Sequence, residues 1–229
     1  MNTLKEKVII KTTLELVTGL HIGGSKDNVQ IGGIDNPVIR TALKDNQPYI
    51  PGSTLRGKMR CLLEQMEGIT EVGGGMKTKE GKDIKFEEKT EACQKIINLF
   101  GFSHDNKISK LIVRDAMLTE ESVQKLRDSE NLDMPYTESK YENLVDRVKG
   151  VAKHPRQTER IPAGVSFDVE FVINVWDDDE KDDFIALLEK GIKALQNDYL
   201  GGSGSRGYGQ VRFGELKITE LLQGNNRKS

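Results

Sequence analysis

The chain has little cysteine, little histidine and few aromatic residues. Its two cysteines, Cys61 and Cys93, lie far apart, and neither stands in a metal-ligand spacing. That excludes a disulfide framework and a cysteine-built zinc site, and it fits a reducing compartment, the cytoplasm. No apolar run is long enough to cross a bilayer, and the N-terminal MNTLKEKVIIKTTLELV lacks the apolar core of a secretory signal, so no membrane association is expected. Three common catalytic signatures are missing too: there is no Walker motif, no GxSxG and no HExxH. Apolar residues make up 36% and charged residues 31% of the chain, the balance of a soluble protein with long polar loops. At 229 residues there is room for one domain with insertions.

A large net charge is also absent. The sum is −2 at pH 7, which by itself argues mildly against a nucleic-acid binder. The distribution says more. DDDEKDD at 177–183 carries six acids and one lysine, whereas RVKGVAKHPRQTER at 147–160 holds five Arg/Lys against one Glu. A phosphate backbone leaves such a local footprint. The acidic run opens a helix, where carboxylates favour the dipole, and reads as a solvated helix start rather than a metal cluster.

Hydrophobic periodicity gives the organisation. In KVIIKTTLELV, residues 7–17, Val8, Ile10, Leu14 and Leu16 share one face of a half-buried strand. In YIPGSTLRGKMRCLLEQM, residues 49–66, Leu55, Met59, Leu62, Leu63 and Met66 make a helical face, with Ser53 or Thr54 as the expected N-cap. A short helix is expected at 91–100, ending at Gly101. SKLIVRDAMLT at 109–119 reads as a second strand. VSFDVEFVINVW at 165–176 alternates without a break, and Phe184, Leu187, Leu188, Gly191, Ile192 and Leu195 form an amphipathic helix after it. QVRFGELKIT at 210–219 is the last strand. Residues 68–90 and 120–160 are polar, weakly periodic insertions, the second with some helix at its start. Without them the order is βαββαβ. That is an α+β, ferredoxin-like pattern, an antiparallel sheet with helices on one face, shared with the RNA-recognition motif. The aromatic signature of that motif is lacking on the strands.

Three segments carry candidate chemistry. GGSGSRGYG at 201–209 holds five glycines, an arginine and a tyrosine between a helix and a strand. Repeated glycines let successive N–H groups converge on an anion. Arg206 adds a fork suited to phosphate, and Tyr208 offers a stacking face. An ordinary helix-to-strand turn needs only two glycines. PGSTLRGKMR at 51–60 is a helix start with Arg56 and Arg60 on one side and Gly57 leaving that side bare, either an anion site or a solvated basic edge. In IGGIDNPVIR, Asp35 is either plain turn chemistry or a carboxylate able to share Mg²⁺ with a substrate phosphate. His21 is a lone histidine at the end of the first strand. His104 and Asp105 have no third partner in sequence.

Taken together and in order, LHIGG, GGIDNPVIR, YIPGSTLRGKMR, LFG, ERIPAG and GGSGSRGYGQV resemble the motif series of the RAMP superfamily of CRISPR proteins. In particular, they resemble the repeated backbone subunit of the type III-A, or Csm, effector complex. The resemblance runs over nearly the whole chain. It implies a single RAMP domain over 1–229 with a lid-like insertion at 68–90 and a thumb-like one at 120–160. It implies partners: CRISPR guide RNA, complementary target RNA, further copies of the chain in a head-to-tail filament, and other subunits of the complex. It implies metal-dependent endoribonuclease activity in which Asp35, sharing Mg²⁺ or Mn²⁺ with the RNA phosphate, supports attack by the RNA's own 2′-OH. Target is then cut at regular intervals, leaving 2′,3′-cyclic phosphate and 5′-OH ends. The alternative is a non-catalytic guide-binding scaffold of the same kind. The residues assigned to RNA are His21, with a catalytic role left open, Ser53, Arg56, Lys58 and Arg60. Arg147, Lys149, Lys153 and Arg156 join them from the thumb, and Gly202, Ser203, Ser205 and Arg206 from the glycine-rich loop. Such contacts would read backbone and shape while base pairing reads sequence.

Overall fold

The computed structural model describes residues 3–24, 36–68, 89–102 and 106–222. Asp35, His104, Asp105 and most of the 68–90 insertion lie outside the described residues. The long strands and helices follow the sequence periods. Strand β1 (Leu4–Leu16) pairs antiparallel with β7 (Ser166–Trp176), so that Val8 faces Ile173, Ile10 faces Phe171 and Leu14 faces Phe167. All six side chains are buried. Two helices close over this face: α1 (Gly52–Met66) with Leu55, Met59 and Leu63, and α4 (Lys181–Gln196) with Phe184, Leu188, Ile192 and Leu195. Helix α2 (Glu91–Phe100) completes the layer with Cys93, Ile96, Ile97 and Phe100.

The main sheet has seven strands in the order β2 (Tyr49–Ile50), β4 (Ala116–Leu118), β7, β1, β8 (Val211–Phe213). In addition, β3 (Leu111–Val113) lies on β7 and β9 (Lys217–Leu222) on β1. Every pairing is antiparallel. The second and last strands expected from sequence are each two short strands, interrupted at Arg114–Asp115 and at Gly214–Leu216.

The 120–160 segment starts with helix α3 (Glu120–Arg127), capped by the Thr119 hydroxyl, which accepts from the Ser122 N–H at 3.2 Å. It continues as a two-stranded antiparallel hairpin separate from the main sheet, β5 (Glu138–Val145) and β6 (Ala152–Arg160). Among the described residues no helix is long and apolar enough to cross a membrane.

The start of α1 differs from the expectation. Its N-cap is Pro51, and neither Ser53 nor Thr54 caps it. The Gly52 N–H instead donates to Asp115 Oδ1 at 2.8 Å. A carboxylate from the β3–β4 break thus already satisfies one of the groups that would attract an anion there.

Candidate nucleic-acid interface

The 201–209 loop begins where α4 ends and packs back on the core. Three of its glycines leave no room for a side chain, Gly204 because a Cβ there would lie 2.0 Å from the Tyr199 ring. Gly201 has φ +75°, and a Cβ there would lie 2.3 Å from the His21 carbonyl oxygen; Gly209 has φ +71°, with a Cβ 1.9 Å from the Leu200 oxygen. Several N–H groups are spent internally as well: Gly202 donates to His21 O at 2.9 Å, Arg206 to Ser203 O at 2.9 Å, Gly207 to Gly204 O at 2.9 Å and Gly209 to Gly19 O at 3.0 Å. Ser203, with φ 61°, turns the chain into the single 3-10 turn Gly204–Arg206. No described residue accepts from the N–H groups of Ser203, Gly204 or Ser205. These three successive donors form the concave anion-binding geometry of a nest.

Tyr208 is not a stacking face. Its side chain is buried, with Lys140 Nζ 4.4 Å and the Arg160 guanidinium 5.3 Å from the ring centre. Its buried hydroxyl makes no hydrogen bond of good geometry, although the Glu142 carboxylate lies close enough to act on it. Burial, and then Glu142, push the phenol up to about 12. The exposed part of an aromatic ring in this region belongs to Tyr199, beneath Lys58 Nζ at 3.9 Å from the ring centre. Lys58 also pairs with Asp198 at 2.8 Å.

Arg206 is exposed and reaches across to the hairpin, where Nη1 meets Glu142 Oε2 at 3.0 Å. Between loop and hairpin lies an open cleft of about 620 Å³ lined by Lys140, Glu142, Asn143, Val145, Arg147, Arg156 and Arg206. Arg206, Arg147 and Arg156, three of the residues singled out in sequence, therefore meet in one place. Lys140, unmarked in sequence, joins them. Four cations face one carboxylate there, so the cleft is basic although the chain is not. Lys149 and Lys153 sit at the hairpin tip, where Asp146 accepts from the Lys149 N–H at 3.0 Å and pairs with Lys153 Nζ at 2.5 Å. Exposed Ser53, in the first turn of α1, and exposed Ser205, in the 3-10 turn, have open side chains.

Arg56 and Arg60 point elsewhere. Arg56 donates to the Phe100 carbonyl and to Ser109 Oγ at 3.3 Å; Arg60 donates to the Gly101 carbonyl at 2.9 Å and to Glu64 at 2.7 Å. Both cations hold the C-terminal end of α2, where the helix dipole favours them. Burial, and then the neighbouring Arg60, lower the Arg56 pKa. Arg60 Nη2 is buried without a partner.

His21 is half-buried beside the glycine loop, with Nδ1 2.7 Å from the Glu159 carbonyl oxygen. Glu159 itself is a residue that sequence reading passed over as the one acid in a basic run. Its side chain is 5% exposed. It accepts from Arg40 Nη2 at 2.5 Å, from Thr137 Oγ1 at 2.6 Å and from the Val38 N–H at 2.8 Å. Its own N–H donates to Asn36 O at 3.3 Å. Glu159 thus ties the hairpin to Val38 and Arg40 through its carboxylate, to Asn36 through its N–H and to His21 through its carbonyl. Among the described residues no group of three or more His, Cys, Asp or Glu could hold a metal ion.

Comparison with known proteins points the same way. A family model described as the RAMP superfamily matches residues 13–212. A CRISPR system Cms endoribonuclease Csm3 from Methanocaldococcus jannaschii is 42% identical, over 97% of this chain and 86% of its own length. The Csm3 of Streptococcus thermophilus is 40% identical, over 94% and 91%. Among solved structures, the Csm3–Csm4 subcomplex of the type III-A CRISPR–Cas interference complex contains a similar chain. The two share 31% identity with a TM-score of 0.56, over 96% of this chain and 82% of that one. A type III-B Cmr-β complex bound to cognate target RNA contains one sharing the fold, with a TM-score of 0.60 at 16% identity.

Proposed function

Because the chain belongs to the RAMP superfamily, and within it to the Csm3 endoribonucleases, we propose that it is the repeated backbone subunit of a type III-A CRISPR complex. In this reading it holds guide RNA and cuts the paired target RNA at regular intervals in the cytoplasm. The observation that carries the reading is the basic cleft in which Lys140, Arg147, Arg156 and Arg206 converge between the glycine-rich loop and the hairpin. Four cations, with a nest of N–H groups on the same loop as Arg206, suit a phosphate backbone. The core is read as ferredoxin-like: the order β4, β7, β1, β8, all antiparallel, with the helices packed on the face of Ile10 and Phe171, supports this. The β5–β6 hairpin is the thumb of the proposed filament, which grows head to tail along the guide and joins the other subunits of the complex.

Target cleavage is assigned to Asp35. The nucleophile is the RNA's own 2′-OH, attacking the adjacent phosphate in line and expelling the 5′ oxygen of the next nucleotide, so the protein needs no Ser or Cys nucleophile. The backbone at 36–38, next in sequence to Asp35, is anchored by Glu159. Mg²⁺ or Mn²⁺ would be held by Asp35 together with phosphate oxygens and water. When bound, the metal offsets charge on the phosphate. Ser53, Lys58, His21, Gly202, Ser203 and Ser205 are assigned to guide contacts of lesser weight. Arg56 and Arg60 serve first to hold α2.

The test is cleavage of labelled target RNA by the assembled complex with Mg²⁺, comparing wild type with Asp35→Ala. The expected result is an evenly spaced ladder that disappears in the variant while target binding is retained. A ladder that persists moves catalysis elsewhere and leaves this chain as the scaffold.

A further inference from the structure

His21 has a fixed tautomer. A carbonyl oxygen only accepts, so the 2.7 Å contact with Glu159 O requires the proton on Nδ1. In the neutral ring Nε2 is then an acceptor. No described residue donates to it. The ring lies between two glycines: an added Cβ at Gly23 would meet Nε2 at 3.7 Å, and one at Gly202 would meet Cδ2 at 3.6 Å. Neither position carries a side chain to cover the ring. With the ring neutral, the result is an acceptor beside Gly202, the residue that leads into the open N–H donors of Ser203, Gly204 and Ser205.

An acceptor there repels phosphate oxygens and asks the ligand for a donor. A nucleic-acid backbone has few acceptors' partners to offer. Phosphate, ring oxygen and ester oxygens only accept. The one backbone donor is the ribose 2′-OH, the group that separates RNA from DNA. Base N–H groups are donors too, but a subunit that must accept any guide sequence cannot depend on them.

We propose that His21 is a sugar-discriminating residue. Its neutral Nε2 accepts a hydrogen bond from a guide 2′-OH while Glu159 O holds the tautomer. This rests on the guide-binding reading above. It assigns His21 a ribose contact rather than a phosphate contact.

The test measures binding of the full chain to one unstructured oligonucleotide made in two forms, ribose and 2′-fluoro. The fluoro form keeps the ribose pucker and every phosphate but has no hydroxyl donor. Wild type is expected to prefer the ribose form by about fivefold, the worth of one neutral hydrogen bond. That ratio should hold across a salt titration, because no counterion is released by it. His21→Phe should bind both forms alike, at the level wild type shows for the fluoro form. His21→Asn, too short to reach the hydroxyl, should do the same and serves where the Phe variant does not fold. Equal binding of both forms by wild type overturns the proposal, as does a preference that survives in either variant. Binding of neither form by wild type overturns the guide-binding reading and this proposal with it.

Discussion

Replacing Glu159 by alanine tests whether the hairpin, the Arg40 segment and the chain after Asp35 form one unit. The carboxylate is buried and meets three donors at 2.5, 2.6 and 2.8 Å. Its loss leaves each in a different position. The Val38 N–H belongs to a residue only 4% exposed and has no described alternative acceptor; an unsatisfied buried donor costs about 1–3 kcal/mol. Thr137, fully buried, keeps Arg40 as a donor to its hydroxyl but loses its own acceptor. Arg40 is cushioned, since Asn46 O and Pro135 O still accept from it at 2.9 and 3.1 Å. The sum falls at the lower end of what breaking a buried ion pair costs, about 3 kcal/mol. For a chain of this size that corresponds to a fall in Tm on the order of 10 °C. Thermal and urea unfolding of Glu159→Ala, alone and with Arg40→Ala, would measure it. A loss below about 1 kcal/mol, or a double-mutant cycle without coupling between the two residues, would refute the idea that this carboxylate organises the site.

Two further outcomes follow from the glycine loop. Gly209→Ala forces a Cβ against the Leu200 oxygen at a positive φ and should cost roughly 3 kcal/mol in urea unfolding; a neutral substitution would contradict the packing described. Tyr208→Phe removes a buried hydroxyl that lacks a well-formed hydrogen bond, so stability at neutral pH should change by no more than about 1 kcal/mol. Above pH 10 the two proteins should diverge. The folded phenol titrates near 12 and an unfolded one near 10, so between those values the unfolded wild type has released the proton that the folded one keeps. Wild-type stability then falls relative to the variant as pH rises through that window, by up to about 3 kcal/mol. Parallel pH curves for the two proteins would count against the buried placement of Tyr208.

What the sequence made legible is what short-range pattern decides. Strand β7 and helix α4 carry unbroken periods, and the positions those periods mark are buried except Leu187, which is half-buried; Val172, on the opposite face of β7, is buried as well. The β5–β6 hairpin was not legible because it stands apart from the main sheet. Tyr141, Val145, Val148 and Val151 remain exposed on it, so alternation had no buried side to mark. The cap of α1 was misread because its partner, Asp115, is 63 residues away. The glycines of the 201–209 loop were counted correctly, but the need at Gly201 and Gly209 comes from backbone oxygens of His21 and Leu200.

The arginines show why such misreadings bear on function. By composition Arg56, Arg60, Arg147, Arg156 and Arg206 are equivalent: each is a cation near glycine or other cations. In the fold they separate. Arg56 and Arg60 are committed to carbonyls at the end of α2, and moving them onto RNA would leave those acceptors bare. Arg147 and Arg156 line the cleft without an ion-pair partner among the described residues. Among the described residues the Arg206 guanidinium pairs with Glu142 alone, a partly exposed contact of the kind worth little in water and readily exchanged for a phosphate. Affinity for a polyanion depends on cations that give up little when they bind it. That quantity is a difference between the free and bound surroundings of each side chain. It is set by contacts dozens of residues distant, so the basic run at 147–160 and the basic helix start at 51–60 look alike in sequence and differ only in the fold, by how many of their cations stay uncommitted.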